Sequence, residues 1–153
     1  MFHIVLVEPE IPQNTGNISR TCAVTGCALH LVHPLGFSID DRHLKRAGLD
    51  YWKDLDLYEH SSFREVEERY ADHPFFLFST HAERIYSDVA YPEGSFLVFG
   101  KETAGLGPEL LNRRSADAVR IPMLPDQRSL NLSNSVAIAL YEALRQNGFA
   151  GLL

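Results

Sequence analysis

Ser129-Leu130-Asn131-Leu132-Ser133-Asn134-Ser135-Val136-Ala137-Ile138 is the stretch on which the reading of this chain turns. It follows Arg120-Ile121-Pro122-Met123 and runs without a break into an apolar helical pattern that continues to Gln146. Side chains that hydrogen-bond backbone groups crowd a loop and then a helix start. Free N–H groups point outward there, and a small polar ligand finds its donors. Two earlier segments have the same character: Asn14-Thr15-Gly16-Asn17-Ile18-Ser19-Arg20, and Phe99-Gly100-Lys101-Glu102-Thr103-Ala104-Gly105-Leu106-Gly107. Each lies at the end of a strand-like apolar run. Caps and turns explain any one of them; three together point to one composite site.

Working outward, strand-like and helix-like segments alternate. Strands are expected at His3–Val7, Ala28–Val32, Leu55–Tyr58, Phe75–Phe78, Phe96–Phe99 and Val119–Ile121. Helices are expected over Asn17–Thr25, with Asn14 or Thr15 near its start and Gly26 as its stop, and over Asp40–Ala47. Further helices are expected over Ser62–Tyr70 capped by Ser61, over Pro108–Arg114 with proline in the first turn, and over Ser133–Gln146. The runs Phe75–Phe78 and Phe96–Phe99 are apolar throughout, as suits a sheet covered on both faces. The alternation predicts one α/β domain over residues 1–153, a mostly parallel sheet flanked by helices. In such sheets ligands bind at the carboxyl ends of strands, where all three polar corners fall.

The 153 residues suffice for one domain with a real core. The formal charge of -6 argues against a nonspecific nucleic-acid coat. It is unevenly spread: residues 54–72 carry seven acids and two bases. Elsewhere basic clusters stand out, with Arg42, Lys45 and Arg46 in one and Arg113, Arg114 and Arg120 in another. A local RNA-binding face is compatible with this pattern, as are plain solvated faces. The only cysteines, Cys22 and Cys27, match neither a redox nor a zinc spacing, and the seven histidines show no H-x-x-x-H pair. No metal and a reducing compartment are therefore expected. No apolar run approaches the ~20 residues of a membrane span. Met1–Val7 has no basic leader and reads as a first strand, so no membrane association and a cytoplasmic location are expected.

The glycine-rich corner is not a phosphate loop, because no Gly-Lys-Ser/Thr closes it, and no G-x-G-x-x-G follows the first strand. That removes the support for a phosphotransferase or a dinucleotide-binding enzyme. Tight turns explain Gly105 and Gly107 but do not require the acid Glu102. Arg20 lies about a turn beyond Asn17, placed to pair with a carboxylate or to reach a phosphate with its planar fork. No G-x-S-x-G elbow is present.

The three segments resemble the signature motifs of the SPOUT superfamily of RNA methyltransferases: Asn14-x-Gly16-Asn17-Ile18-x-Arg20, then Phe99-Gly100-x-Glu102-x-x-Gly105-Leu106, then Ile121-Pro122-Met123 with Ser129–Val136. Order and spacing both fit, and the resemblance covers essentially the whole chain. Within the superfamily it is closest to the minimal enzymes that methylate the 2′-oxygen of the tRNA wobble nucleotide. The opening run Ile4–Asn17 and the segment Arg46-Ala47-Gly48-Leu49-Asp50-Tyr51 carry that likeness. The motifs depart at Ser135, where many relatives carry Ala, and at Lys101, where near relatives often carry Pro.

The resemblance implies a C-terminal trefoil knot, which general topology rules would not suggest. It implies a homodimer without the RNA-binding extensions of larger relatives, and S-adenosyl-L-methionine as methyl donor. Phe78, Thr80, Gly100, Ile121, Met123, Ser129 and Leu130 would hold that donor. Arg20 would orient the target ribose and its phosphate, with Asn14 and Asn17 shaping the pocket. Glu102 and Asn134 would fix loops or position Arg20. The implied substrate is the anticodon stem-loop of tRNA, methylated on a wobble cytidine or modified uridine, in leucine tRNAs. The implied grip on RNA comes from Arg42, Lys45, Arg46, Arg113 and Arg114. Two other readings stay open at this point: a superfamily enzyme acting on another tRNA or rRNA position, and a noncatalytic RNA-binding module of the same fold.

Overall fold

The computed structural model describes residues 1–40, 42, 44, 46 and 49–153. Six strands, β1 (His3–Val7), β2 (Ala28–Val32), β3 (Leu57–His60), β4 (Phe75–Phe78), β5 (Phe96–Phe99) and β6 (Ala118–Val119), form one sheet in the order β3-β2-β1-β5-β4-β6. Every pairing is parallel. The helices are α1 (Pro12–Thr25), α2 (Phe63–Arg69), α3 (Pro108–Arg113) and α4 (Leu132–Gln146). The α/β architecture expected from the alternation is present, and its sheet is wholly parallel. The helix expected over Asp40–Ala47, the segment 46–51 and Lys45 rest in whole or part on residues outside the described set.

Both sheet faces are covered, which is why the strands lack polar alternation. One face presents Ile4, Leu6, Leu29, Leu31, Leu97 and Phe99 to Ile18 and Cys22 of α1 and to Val136, Ala139, Leu140 and Ala143 of α4. The other presents Val5, Val32, Phe75, Leu77, Phe96 and Val98 to Phe63 and Val66 of α2 and, at its margin, to Leu110 and Leu111 of α3. Burial pushes the Cys22 and Cys27 thiols up, so both act as small core hydrophobes.

The second face also carries three imidazoles in a row across adjacent strands. His3 Nδ1 lies 2.9 Å from His30 Nε2, and His30 Nδ1 lies 2.9 Å from His60 Nε2. His30 and His60 are buried. Each contact pairs an N–H of one ring with the bare nitrogen of its neighbour.

Several boundaries differ from the sequence expectation. Helix α1 starts at Pro12 and not at Asn17. A proline is tolerated in the first turn because its missing N–H would have no helical partner there. Asn14 and Asn17 are consequently helical residues and not caps. Ser62, and not Ser61, caps α2 by accepting from Glu65 N at 3.2 Å; Ser61 instead donates its N–H and hydroxyl to the Glu65 carboxylate. The Arg64–Glu68 pair is present at 3.1 Å. Strand β3 is displaced two residues from the expected Leu55–Tyr58. Strand β6 is only two residues long, with Arg120 extending it through a parallel bridge to Ile85.

Candidate active site

The strands β1, β5, β4 and β6 are consecutive in the sheet, so the segments that leave their carboxyl ends meet. They enclose a pocket of about 560 Å3. Its walls come from the start of α1 (Ile11, Asn14), the turn after β4 (Phe78 to His81), the loop after β5 (Phe99, Gly100, Glu102 to Leu106), and the stretch after β6 (Ile121, Met123, Arg128 to Leu132, Ser135). Phe78 and Phe99 stack with centroids 4.7 Å apart at its base. All seven residues expected to hold a methyl donor, Phe78, Thr80, Gly100, Ile121, Met123, Ser129 and Leu130, line this one pocket.

Glu102 ties the corners together. Its carboxylate accepts from Glu10 N and Ile11 N, each at 2.8 Å, and from Asn14 Nδ2 at 3.2 Å. The residue at the N-cap of α1, Ile11, has no side chain able to cap. Glu102 supplies from 91 positions away the acceptor and the negative charge that a helix N-terminus favours. The link is reciprocal, because Glu10 Oε1 accepts from Thr103 N at 3.0 Å and from the Thr103 hydroxyl at 2.8 Å. These two donations hold the Glu10 carboxyl below the usual carboxylate range.

Asn14, buried in α1, extends the chain of contacts. While its Nδ2 donates to Glu102, its Oδ1 accepts from Asn131 Nδ2 at 3.1 Å. Asn131 in turn caps α4: its Oδ1 accepts from Asn134 N at 3.2 Å and from the Ser133 hydroxyl at 2.6 Å. One hydrogen-bonded row, Glu102–Asn14–Asn131, therefore joins all three motifs. Asn131 is the residue that sequence reasoning undervalued. Its signal was the N-cap position ahead of an apolar helix, which reads as structural until its second partner is seen.

Gly100 is required for a spatial reason. A Cβ built there would lie 2.0 Å from the Gly105 carbonyl carbon and 2.1 Å from Leu106 N. The loop folds back on itself, with Gly105 N donating to Lys101 O at 2.8 Å, and Gly105 takes φ +65° at the return.

Not every expected site residue meets this pocket. Asn17, Arg20 and Asn134 are exposed and form no part of its wall. Asn17, Arg20 and Val24 share one exposed stripe of α1 at helical spacing. Arg113 and Arg114, expected to grip RNA, are engaged within the chain. Both bind the Glu67 carboxylate, at 2.8 and 2.9 Å for Arg113 and 2.8 Å for Arg114. Arg114 also lies over the Phe75 ring at 4.6 Å. Glu67 belongs to the acidic segment 54–72, so that segment neutralises this basic cluster. Arg42 and Arg46 are exposed. Among the described residues no group of three or more His, Cys, Asp or Glu is arranged to hold a metal ion. No described helix is long and apolar enough to cross a membrane.

Comparison with known proteins bears on this geometry. Residues 1–141 match the SpoU rRNA Methylase family. The chain belongs to that family. It is 52% identical to the tRNA (cytidine(34)-2′-O)-methyltransferase of Polaromonas sp. (strain JS666), over 99% of this chain and 94% of that one. A solved structure concerned with 2-OH methylation of C/U34 on tRNA superposes with a TM-score of 0.92 at 46% identity, covering 97% of each chain. The SpoU methyltransferase AviRb from Streptomyces viridochromogenes, solved in complex with AdoMet, superposes with a TM-score of 0.82 at 27% identity. That match covers 95% of this chain and 57% of AviRb.

Proposed function

We propose that this chain transfers a methyl group from S-adenosyl-L-methionine to the ribose 2′-hydroxyl of the tRNA wobble nucleotide, a cytidine or uridine. The observation that carries the reading is the convergence of all three family motifs on one pocket, with the Glu102–Asn14–Asn131 row holding them in place. The residues suit the donor. Phe78, Phe99, Ile121, Met123 and Leu106 offer an apolar wall for an adenine, while Thr80, Ser129 and the backbone of 100–105 offer polar groups. The volume falls in the range of small-molecule sites, roughly 300–1,000 Å3.

When bound, the donor supplies an electrophilic methyl on a sulfonium. Because that positive charge disappears during transfer, the protein's task is alignment more than stabilising new charge. Gly100 and Gly105 shape the loop that faces the donor. Asn14 and Glu102 hold the start of α1 against that loop, which fixes the helix that carries Arg20. Arg20 orients the ribose and its phosphate by a charge-assisted fork. A guanidinium does not give up its proton, so Arg20 positions the hydroxyl and does not act as the base.

Arg20 lies off the wall of its own pocket, on the stripe that also carries the exposed Val24. Ile138 and Tyr141 of α4 are likewise exposed. We read this face as the contact of a homodimer in which Arg20 of one subunit serves the pocket of the other. The same reading takes residues 1–153 as one domain whose C-terminal segment threads through a trefoil knot. It takes leucine tRNAs as substrates, gripped at the anticodon stem-loop, and the cytoplasm as the setting.

The deciding experiment incubates the protein with labelled S-adenosyl-L-methionine and tRNA lacking wobble methylation, then maps the 2′-O-methyl group. Label on the wobble ribose is the expected result. Label at another position of tRNA or rRNA would overturn the substrate assignment, and binding of tRNA with no transfer would favour a noncatalytic module.

A further inference from the structure

Arg128 stands apart from every other charged residue around the pocket. Among the described lining residues it is the one Lys or Arg, and Glu102 is the one carboxylate. Glu102 already accepts three N–H groups and is committed to the start of α1. Arg128, by contrast, makes no hydrogen bond or ion pair with any described residue. Elsewhere Arg64 is tied to Glu68, Arg84 to the Ala116 carbonyl, Arg113 and Arg114 to Glu67, and Arg145 to Glu142.

Its place in the chain fixes where that charge sits. Residues 124–131 are all exposed, and of these Arg128 to Asn131 line the pocket at its solvent edge. A guanidinium here keeps its hydration until a ligand arrives, and then presents two parallel N–H donors. Among the described residues no acid lies in contact to compete for it.

We infer that Arg128 is the anion anchor of this site, binding a ligand oxyanion in a bidentate pair at the pocket rim. The inference rests on the functional reading above, which supplies two oxyanions: the α-carboxylate of the methyl donor, and a phosphate beside the target ribose. Both present two coplanar oxygens to a planar fork. Arg128 thereby selects, at the rim, for a donor that carries its amino-acid tail or for a nucleotide held within a strand.

The test uses the full chain, with Arg128→Gln to remove the charge and Arg128→Lys to keep it without the fork. Dissociation constants are measured by calorimetry for S-adenosyl-L-methionine, S-adenosylhomocysteine and 5′-methylthioadenosine. The last keeps the nucleoside and sulfur but lacks the carboxylate. Binding of tRNA is measured as a function of salt. If the carboxylate is the anion, Arg128→Gln weakens the first two ligands roughly ten- to a hundredfold and leaves methylthioadenosine unchanged. Arg128→Lys then recovers only part of that loss. If the phosphate is the anion, all three nucleosides bind as in the wild type. Affinity for tRNA then falls, and the slope of log K against log salt shrinks by about one. Unchanged binding of every ligand would overturn the inference, as would a loss shared equally by methylthioadenosine, which would mean a damaged pocket. Failure of the wild-type protein to bind any of the three nucleosides would overturn the functional reading instead.

Discussion

Asn131 Nδ2 donates to Asn14 Oδ1 at 3.1 Å across 117 positions of sequence, and both residues cap or open a helix that frames the pocket. Asn14 passes the link on to Glu102, so a polar row crosses the carboxyl edge of the sheet at the point where three loops must agree. Asn14, buried at the centre of the row, has few alternative partners, which makes the row sensitive to single changes.

Glu102→Gln keeps the shape and places an NH2 where an oxygen accepts an N–H. One backbone donor at Glu10 or Ile11 then loses its acceptor and the helix start loses its negative charge. The expected cost is about 1–3 kcal/mol of folding stability, read as a lower urea midpoint with an unchanged slope. Asn131→Ala removes both the α4 cap and the partner of Asn14, and should cost at least as much as a lost cap alone, about 1 kcal/mol. A double variant whose loss falls short of the sum would confirm that the two act through Asn14.

Gly100→Ala tests the loop. The added methyl meets the backbone of Gly105 and Leu106, and backbone cannot yield as a flexible side chain would. Loss of S-adenosyl-L-methionine binding is expected, with the circular dichroism of the sheet and helices retained. Gly107→Ala is the control, because a Cβ there meets nothing within 4 Å. Equal binding by the two variants would remove Gly100 from the pocket's requirements.

Much of this was legible from residue patterns. The four-residue runs Phe75–Phe78 and Phe96–Phe99 appear as strands with the expected ends, because a wholly apolar run leaves little choice once both faces are covered. The seven donor-pocket residues came from motif resemblance and meet in one cavity because each follows a strand of the same parallel sheet. What sequence could not give was partnership at a distance. Nothing local marks Glu102 as the cap of a helix 91 positions earlier, or Glu67 as the partner of Arg113 and Arg114. The start of α1 was misplaced for the same reason. With its cap supplied from another motif, no N-cap residue stands before Pro12 to announce it.

The basic clusters separate in a salt titration. Arg113→Glu breaks a bidentate pair with Glu67 and sets two acids face to face, so it should lower stability while leaving the salt slope of tRNA binding nearly unchanged. Arg42→Glu and Arg46→Glu alter exposed charges and should reduce that slope by about one each if they meet phosphates. The reverse ranking would place the RNA over α3.

The histidine row predicts acid sensitivity. Burial, with the neighbouring imidazoles, lowers His30 from 6.5 to about 3, and burial lowers His3 to about 4; His60 is lowered as well, chiefly by burial. Between the ordinary 6.5 and these values the unfolded chain binds more protons than the fold, so stability rises with pH across that window and falls on acidification through it. Above about pH 7 these residues should contribute no pH dependence. In His30→Phe, unfolding free energy against pH should show a shallower slope between pH 4 and 6. Absolute stability should drop as well, since His3 and His60 lose a partner. An unchanged slope would mean that the row does not stay neutral in the fold.

Arg20 offers the sharpest test of how the site is assembled. It is exposed on α1, on the same stripe as Val24, and it forms no part of the pocket wall of its own chain. If it serves the pocket of a second subunit, Arg20→Ala should lose most turnover while binding S-adenosyl-L-methionine with unchanged affinity. Gly100→Ala should lose both. Each variant alone then spoils every site of its own dimer, by different means. Mixed and allowed to exchange subunits, the two yield dimers in which one pocket is intact and faces an intact Arg20, so activity should return. Complementation requires the two residues to act from different chains, since a site built within one chain keeps that chain's own defect whatever its partner. Turnover that stays at the level of the separate variants, under conditions where exchange is verified by mass, would place Arg20 and its pocket within one subunit.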